Sequence, residues 1–395
     1  MEKNNDQEKL TTEAVSAGHP DKIADQISEK MLDFFLEKDE NAHVACEVFV
    51  TKKSIILGGE IKTNFKIDDQ IKAEIKQLIQ DLLKKEIGYN ETSWKELNKL
   101  EIKFFWNQQS EEIDQMVSKK NHQVGAGDNC TTFGYANNDK NYFPIFQNIA
   151  NNILQKIHLW RKKELKWQRL LQFAPDGKIQ IIYQEDKIIE IVLCQQVLKN
   201  WTPKQKEENK KIIREKIIKP ILILFEFKEF NFDLKIIDFQ LGGPASDTGL
   251  TGRKIIVDSY GTGIPHGGGC LAGKDPSKTD KSLSLFARYV AKHIVALGLA
   301  EEITIQISSI IGKPELVNIT CLKNDAFTHN KKLIKRIIRK FFWWDLEKII
   351  NKLDLKQQKY FPFSKYGYFG SLHKEPSWEK LDLLKKIKTE LNKFT

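Results

Sequence analysis

The residues best suited to chemistry lie in residues 242–281, a stretch that combines ten glycines with a series of cationic side chains. Glycine lets the backbone turn its N–H groups toward a ligand at close range. Seven of the 63 Lys and Arg residues are Arg, so Arg253 stands out, because a guanidinium binds phosphate bidentately. Asp247 and Asp280 lie among these cations, where carboxylates serve mainly to bind a metal or a substrate ammonium group. The stretch predicts a metal and nucleotide site, with ordinary turns on a Lys-rich surface as the alternative.

The same stretch contains a partial match to a known phosphate loop. Residues 268–274 follow the pattern G-x-x-x-x-G-K, but Asp275 and Pro276 come next, where a P-loop has the Ser or Thr that binds magnesium. We therefore predict a phosphate loop of another kind. The glycine loops flank residues 254–257, which we predict to be a short apolar strand.

A second group of functional side chains lies near the start of the chain. His19 and Asp21 directly precede the apolar periodicity that predicts a helix over residues 21–35, and Pro20 suits its first turn. Backbone donors at a helix start favour anions, so these residues fit a phosphate or metal site. The structural alternative is that His19 caps the helix and Asp21 interacts with its dipole.

Composition limits the possible classes of function. A chain of 395 residues with 41% hydrophobic residues predicts two or three domains. The net charge of +10 is spread from end to end as Lys, so we expect no nucleic-acid partner. Five scattered cysteines without metal-ligand spacing, a polar N-terminus and no long apolar run predict a cytoplasmic protein without a membrane partner.

Alternation and helical spacing predict an architecture that recurs about every 130 residues. Each unit is predicted to contain a β-hairpin, an amphipathic helix and, in the first two units, a further strand. The fold class is therefore α/β of the α+β type, with a mixed or antiparallel sheet and helices on one face of each sheet. We expect the other faces to be buried by dimerisation. The predicted hairpins cover 43–51 with 54–63, 178–183 with 188–197, and 303–311 with 316–322; the helices 69–85, 203–225, 280–297 and 329–350; and the further strands 101–106 and 232–241.

Eight short motifs occur together and in one order. Residues 107–135 lie between two of the units and read as a polar loop or lid followed by a tight turn that presents Asp128. In this combination the chain resembles the S-adenosylmethionine synthetase (methionine adenosyltransferase) family over nearly its entire length. The motifs are GHPDKIADQ at 18–26, VACE at 44–47, GGEI at 58–61, GAGD at 125–128, GLTGRKIIVD at 249–258, HGGG at 266–269, GKDPSK at 273–278 and ARYVAK at 287–292.

The resemblance implies an organisation and a reaction. It implies three similarly built domains in a pseudo-threefold arrangement, at residues 8–107, 120–240 and 242–382, with a mobile loop and connector at 108–135. It also implies a homodimer with shared active sites, assembled as a dimer of dimers. The substrates would be ATP and L-methionine, whose sulfur attacks the 5′ carbon of ATP. The released triphosphate would be hydrolysed to pyrophosphate and phosphate, with two Mg²⁺ and one K⁺ in each site.

The resemblance also implies roles for individual residues. The catalytic residues would be His19, as donor to the leaving oxygen, with Lys178, Arg253, Lys274 and Asp128. ATP would contact His19, Asp176, Lys178, Phe239, Asp247, Arg253, Lys254, Cys270 and Lys274, with Phe239 stacking on adenine. Methionine would be held by Glu60, Gln109, Asp247 and Lys278. Asp21 and Asp280 would bind magnesium, and Glu47 would bind potassium.

The chain departs from the family pattern in its supporting loops. Asn129 and Cys130 replace Gln and Gly, and Cys270, Leu271 and Ala272 replace Ala, Phe and Ser. Asp238 stands before Phe239 where the family has a cation, which would place negative charge near the phosphates. We therefore expect an active but slow or marginally stable enzyme. The alternatives are a decayed, non-catalytic ATP-binding member, a phosphotransferase of the P-loop type, and a basic nucleic-acid binder.

Overall fold

A computed structural model describes residues 8–107, 125–162, 171–322, 331–370 and 375–392. The first half of the chain contains β1 (Leu10–Val15), α1 (Pro20–Lys38), β2 (His43–Val50), β3 (Ser54–Lys62), α2 (Asp69–Asp81), β4 (Glu101–Asn107), β5 (Cys130–Asn137), α3 (Ile145–Lys162), β6 (Phe173–Gln184) and β7 (Lys187–Val197). The second half contains α4 (Pro203–Ile212), α5 (Lys219–Leu224), β8 (Asp233–Phe239), β9 (Gly249–Leu250), α6 (Ile255–Asp258), α7 (Thr279–Ala296), β10 (Glu302–Ser309), β11 (Asn318–Cys321), α8 (Lys331–Phe341), α9 (Leu346–Lys352) and α10 (Leu384–Leu391).

The described strands form three sheets, each built on a predicted hairpin. The first sheet has the order β4-β3-β2-β9, the central sheet β1-β6-β7-β8, and the third β11-β10-β5. The hairpins β2–β3, β6–β7 and β10–β11 are antiparallel, whereas β4 and β8 return parallel to their neighbours after a helical crossover. The mixed α/β architecture predicted from periodicity is therefore confirmed.

Each sheet takes one edge strand from a distant part of the chain. β1 pairs antiparallel with β6, so the N-terminal strand completes the central sheet. β5 pairs with β10, and the two-residue strand β9 pairs with the end of β2. Each sheet is therefore completed by a strand from a distant part of the chain. The pairing of β9 with β2 also fixes residues 249–254 directly beside the start of α1.

Two apolar cores hold the elements together. One lies between the first and third sheets and contains the long helices α1 and α7; the other packs α3 and the helices after residue 203 on the central sheet. Nearly every residue of α7 is buried, including Arg288 and Lys281. Close packing of α7 against β5 requires glycine at position 134, because a Cβ there would lie 2.0 Å from the carbonyl carbon of Ala287.

The structure corrects two local predictions. Residues 254–257, expected to be a strand, lie instead at the start of the helical turn α6, which begins at Ile255. Four apolar residues do not distinguish a strand from a buried helical turn by periodicity. The helix expected over residues 329–350 is divided into α8 and α9, because the Asp345 carboxylate accepts the Lys348 N–H at 3.0 Å and starts a new helix. Its expected beginning at His329 lies outside the described residues.

Candidate active site

His19 caps the first long helix and is held in one tautomer. Its Nδ1 accepts the Asp21 N–H at 3.2 Å, at the start of α1. A neutral imidazole that accepts at Nδ1 carries its proton on Nε2, so Nε2 is available as a donor. The pKa of His19 is lowered to about 4, mainly by burial and next by the charge of Lys254, with Asp21 opposing the shift. The ring is therefore neutral at pH 7.

The Asp21 carboxylate joins α1 to the glycine-rich segment. One oxygen accepts the Leu250 N–H at 3.0 Å, and the other lies 2.5 Å from the Lys254 Nζ. Burial alone would raise the pKa of Asp21, but these hydrogen bonds hold it below the ordinary value. The Arg253 side chain is 54% exposed, with its Nε 3.8 Å from the same carboxylate. One buried acid is thus adjacent to two cations of the predicted triphosphate site.

The edge strand β1 brings the central sheet into this first cluster. Lys178 pairs with Val15 across β1 and β6, and its charge contributes to the lowered pKa of His19. Its Nζ lies 2.6 Å from the Glu13 carboxylate. Lys178, Cys194 and Ile237 are successive partners across β6, β7 and β8, so their side chains share one face of the sheet.

Asp176 and Phe239 meet at Gly242 near the end of that sheet. A Cβ added to Gly242 would lie 2.7 Å from the Phe239 ring and 3.1 Å from an Asp176 oxygen. The Asp176 carboxylate accepts the Gly243 N–H at 2.7 Å. Burial raises the pKa of Asp176 to about 6; the Gly243 and Gly177 N–H groups oppose the shift, and Asp247 adds to it. The exposed Asp247 therefore lies near enough to act on Asp176 electrostatically.

A second cluster lies on the first sheet. The predicted phosphate loop, residues 268–274, runs along β2: the Cys46 N–H donates to the Gly273 carbonyl at 2.9 Å, and Ala45 pairs with Lys274. Ala45 pairs on its other side with Glu60. Residues opposite one another share a face, as do residues two apart on a strand, so Lys274, Glu60 and Glu47 project from the same face.

Asp280 and Cys130 extend this second cluster. The Lys274 Nζ lies 2.5 Å from one Asp280 oxygen, and the Cys130 thiol donates to the other at 3.1 Å. Burial and, next, the charge of Asp280 raise the pKa of Cys130 to about 12, so the sulfur is present as a thiol. Burial also raises the pKa of Glu47, opposed by Lys274. Cys270 lies close by, because besides burial the charges of Lys274 and Glu47 both act on its thiol, the first lowering its pKa and the second raising it.

The residues predicted to hold methionine are located only in part. Glu60 pairs with Asn107 at the end of β4, so the chain leading toward Gln109 departs beside Glu60. Gln109 itself lies outside the described residues. The Lys278 Nζ lies 3.1 Å from Asp275, just before α7. Asp128 is exposed, and its carboxylate accepts the Asn129 N–H at 2.7 Å at a bend over residues 127–128.

Oxygen donors at the predicted magnesium positions fit a hard cation. Asp21 and Asp280 each already bind an ammonium group at 2.5 Å, so both positions attract positive charge. Among the described residues no three His, Cys, Asp or Glu side chains form a ready metal cluster. Magnesium in nucleotide sites commonly takes one or two carboxylates and completes its shell with phosphate oxygens and water, so this sparse donor set fits the ion.

Comparison with known proteins decides the family. Models of the S-adenosylmethionine synthetase N-terminal, central and C-terminal domains match residues 7–111, 123–236 and 241–380. The chain belongs to the S-adenosylmethionine synthetase family. The S-adenosylmethionine synthase of Mycoplasma capricolum is 39% identical over 401 residues, 98% of each chain, and that of Borreliella afzelii is 40% identical over 399 residues, 97% of each chain. The structure of an unusual S-adenosylmethionine synthetase from Campylobacter jejuni matches with a TM-score of 0.83 at 28% identity, covering 96% of this chain and 99% of that one.

As a member of this family, the chain is a methionine adenosyltransferase, and the three sheets account for its α/β class. The P-loop alternative is not supported by the geometry around Lys274. In a P-loop the helix starts at the lysine, whereas here Lys274 pairs with β2 and α7 begins at Thr279. None of the described helices is both long and apolar enough to cross a bilayer.

The departures from the synthetase pattern have local structural explanations. The Asp238 carboxylate accepts the Trp201 N–H at 3.1 Å and lies 2.7 Å from the Lys206 Nζ. Consecutive strand residues point to opposite faces, so this acid lies on the other side of the sheet from Phe239. Its charge is neutralised there, which corrects our expectation that it faces the phosphates. Leu271 and Ala272 are buried, so these replacements pack into the protein.

Sequence reasoning missed the buried charges that support the synthetase site. Asp275 accepts the N–H groups of Val44 and Ser277 as well as the Lys278 ammonium, and fixes the phosphate loop on β2. Lys22 lies in a fully buried contact with Asp25 and Asp258. Both Lys22 and Asp25 fall within the motif at residues 18–26, so a signal existed, but their partners are distant in the chain.

Proposed function

We propose that this protein makes S-adenosylmethionine from ATP and L-methionine and hydrolyses the released triphosphate to pyrophosphate and phosphate before the product leaves. The observation that carries the proposal is the first cluster, in which a neutral histidine, Lys254 and Arg253 lie around the Asp21 carboxylate, with Lys178 near the histidine, in a family-matched fold. Thioether sulfur is nucleophilic without deprotonation, so the reaction needs no general base. It needs fixed donors and cations at the leaving group, where negative charge develops.

The first cluster, together with Lys274 of the second cluster, would supply these groups. His19 would donate its Nε2 proton in a hydrogen bond to the oxygen that leaves the 5′ carbon. Lys178, Lys254 and Lys274 would bind the triphosphate, and Arg253 would stabilise its hydrolysis. The exposure of the Arg253 guanidinium and its single ion pair at 3.8 Å favour such a role, because the group is accessible to a polyanion.

Nucleobase and methionine recognition follow from the two sheets. Phe239 would stack on adenine beside Asp176 and Gly242, and the Cys270 segment would contact the nucleotide. Glu60 and Asp247 would take the methionine ammonium, while Lys278 would take its carboxylate. Gln109 and Asp128 complete the set proposed for methionine and catalysis.

We assign two Mg²⁺ ions to Asp21 and Asp280 and one K⁺ ion to Glu47. When bound, these cations would offset charge on the triphosphate as it leaves. The protein contributes carboxylates held in place by α1 and α7. The pKa of Asp21 is lowered by its hydrogen bonds despite burial, so this ligand is ionised at neutral pH.

We further propose a homodimer, assembled as a dimer of dimers, in which a second copy completes each site. The uncovered faces of two sheets carry exposed apolar side chains, with Phe105 63% and Ile237 54% exposed. Those faces also carry Glu47 and Glu60 on the first sheet and Lys178 on the central sheet. Covering them with another copy would remove apolar surface from water and bring the two clusters together. Five free cysteines are compatible with a cytoplasmic location.

The deciding experiment is a stoichiometric assay with ATP, methionine, magnesium and potassium, omitting each in turn. Equal amounts of S-adenosylmethionine, pyrophosphate and phosphate, formed when methionine is present, would support the proposal. ATP binding without any product would contradict it and identify a decayed member of the family.

A further inference from the structure

A single buried ammonium group fixes both ends of the segment that carries Arg253 and Lys254. The Lys22 Nζ lies 3.1 Å from Asp25 and 2.5 Å from Asp258. The other Asp25 oxygen accepts the Gly252 N–H at 2.8 Å, directly before Arg253. Asp258 ends α6, the helical turn that begins directly after Lys254. The cationic pair is thus held between two acids that share one lysine.

The charges in this arrangement are unusual for a purely structural core. Lys22 is 0% exposed, and both acids are buried as well. Burial would lower the pKa of Lys22, but Asp258 and Asp25 overcome it and raise the pKa, so the ammonium form persists. A buried ion pair commonly contributes no more stability than apolar residues of the same volume. A requirement for one fixed geometry accounts for these groups better than stability does.

We infer that Lys22 is a positioning residue for triphosphate binding, acting through Asp25 and Asp258 on the segment that presents Arg253 and Lys254. The inference rests on the proposed function. Because Lys22 is fully buried, it does not touch the substrate itself. Its neighbour Asp21 holds Leu250 and Lys254 from the same helix, so the first turns of α1 set the whole segment.

The test is Lys22→Met in the full chain, with inorganic tripolyphosphate as the binding probe. We expect affinity for tripolyphosphate to fall by about tenfold or more, because misplaced cations lose preorganisation, while the KM for methionine changes by less than about twofold. Lys292→Met is the matched control. It removes another buried ammonium group, which lies 3.0 Å from Glu379 and has no contact with the 249–258 segment among the described interactions. Equal losses in both variants, or equal losses for tripolyphosphate and methionine, would overturn the inference.

A double-mutant cycle tests whether Lys22 acts through the segment. Lys22→Met combined with Lys254→Met should weaken tripolyphosphate binding by less than the product of the two single effects, since one acts partly through the other. A loss of affinity in the double variant equal to the product of the two single effects would contradict the inference. If Lys22→Met folds poorly, the double variant Lys22→Met/Asp258→Asn replaces it. This variant also removes one of the two carboxylates left without a cation, and the same binding and KM measurements then test the inference. A wild-type chain that neither binds tripolyphosphate nor makes S-adenosylmethionine would contradict the proposed function instead.

Discussion

At the scale of single residues, the site depends on groups held in one protonation state. The Asp21 N–H selects the His19 tautomer, and burial with a nearby ammonium keeps the ring neutral. Asp21 is ionised despite its burial, because hydrogen-bond donors surround its oxygens and lower its pKa. A neutral donor and an ionised acid therefore lie two residues apart at one helix start.

The variant His19→Asn separates the two roles of the histidine, which caps α1 and is proposed to donate a hydrogen bond to the leaving oxygen. Asn is a good N-cap, so α1 should keep its start and the melting temperature should change little. The shorter side chain cannot present a donor where Nε2 lies, so we expect kcat for S-adenosylmethionine formation to fall by about a hundredfold. Circular dichroism and product assays measure the two effects. Unchanged kcat would contradict the donor role.

From the lowered pKa of the same histidine we expect the free energy of unfolding to depend on pH. Its pKa falls from 6.5 in the unfolded chain to about 4 in the folded one. The unfolded chain binds more protons between these values, so the contribution of His19 to stability is present above pH 6.5 and is lost as the pH falls toward 4. Urea unfolding of the wild type should lose stability over this window more steeply than that of His19→Asn. Parallel pH profiles would refute this.

Arg253→Leu should affect the two chemical steps unequally. If the guanidinium mainly stabilises hydrolysis of the triphosphate, that step should lose about 3 kcal/mol of transition-state stabilisation, and formation of S-adenosylmethionine much less. Single-turnover measurement of both products checks this. The exposed Arg339 on α8 provides the matched control, Arg339→Leu, which should change neither step. Equal loss of both steps in Arg253→Leu would exclude the assigned role.

At the scale of elements, the close approach of β9 to α1 creates the site. A Cβ on Gly249 would lie 2.0 Å from the Pro20 carbonyl oxygen, so the strand must withdraw if any side chain is added. Withdrawal would break the bond from Leu250 N–H to Asp21 and displace Arg253 and Lys254.

Gly249→Ala should therefore reduce both stability and activity. We expect a loss of about 1–3 kcal/mol in unfolding free energy, typical of overpacking, together with weaker ATP binding. Urea unfolding and ATP titration of the variant and of the wild type provide the comparison. A Gly249→Ala protein that matches the wild type in both would contradict the argument.

At the scale of the whole molecule, the two acids that we propose as magnesium ligands belong to separate clusters. Asp21 is joined to the segment at 249–254, and Asp280 to the loop along β2. If two subunits share each site, the first cluster of one subunit would act together with the second cluster of its partner.

Mixing two inactive variants tests this arrangement. Asp21→Asn and Asp280→Asn should each be inactive. After the two are unfolded and refolded together, mixed dimers would contain one site with both acids and one with neither, so about a quarter of wild-type activity should return. Refolding each variant alone is the control. No recovery in confirmed mixed dimers would place both acids of a site in one chain.

Local chemistry was determined by the sequence itself. His19 and Asp21 lie beside a strong helix pattern, and the cationic glycine-rich stretch is continuous, so neighbouring residues were enough to make them candidates for the site. The hairpins and long helices followed from periodicity for the same reason. The four-residue segment at 254–257 was too short for its apolar pattern to distinguish a strand from a helical turn, and the predicted strand was wrong.

Tertiary structure decided what depends on distant contacts. The exchange of β1, β5 and β9 between sheets, the orientation of Asp238 away from Phe239, and the contact of Lys22 with Asp258 all join residues far apart in the chain. Lys22 and Asp258 are separated by 236 positions. A buried charge is stable only where its partners lie within hydrogen-bond distance, and that distance is set by packing of the whole chain rather than by local pattern.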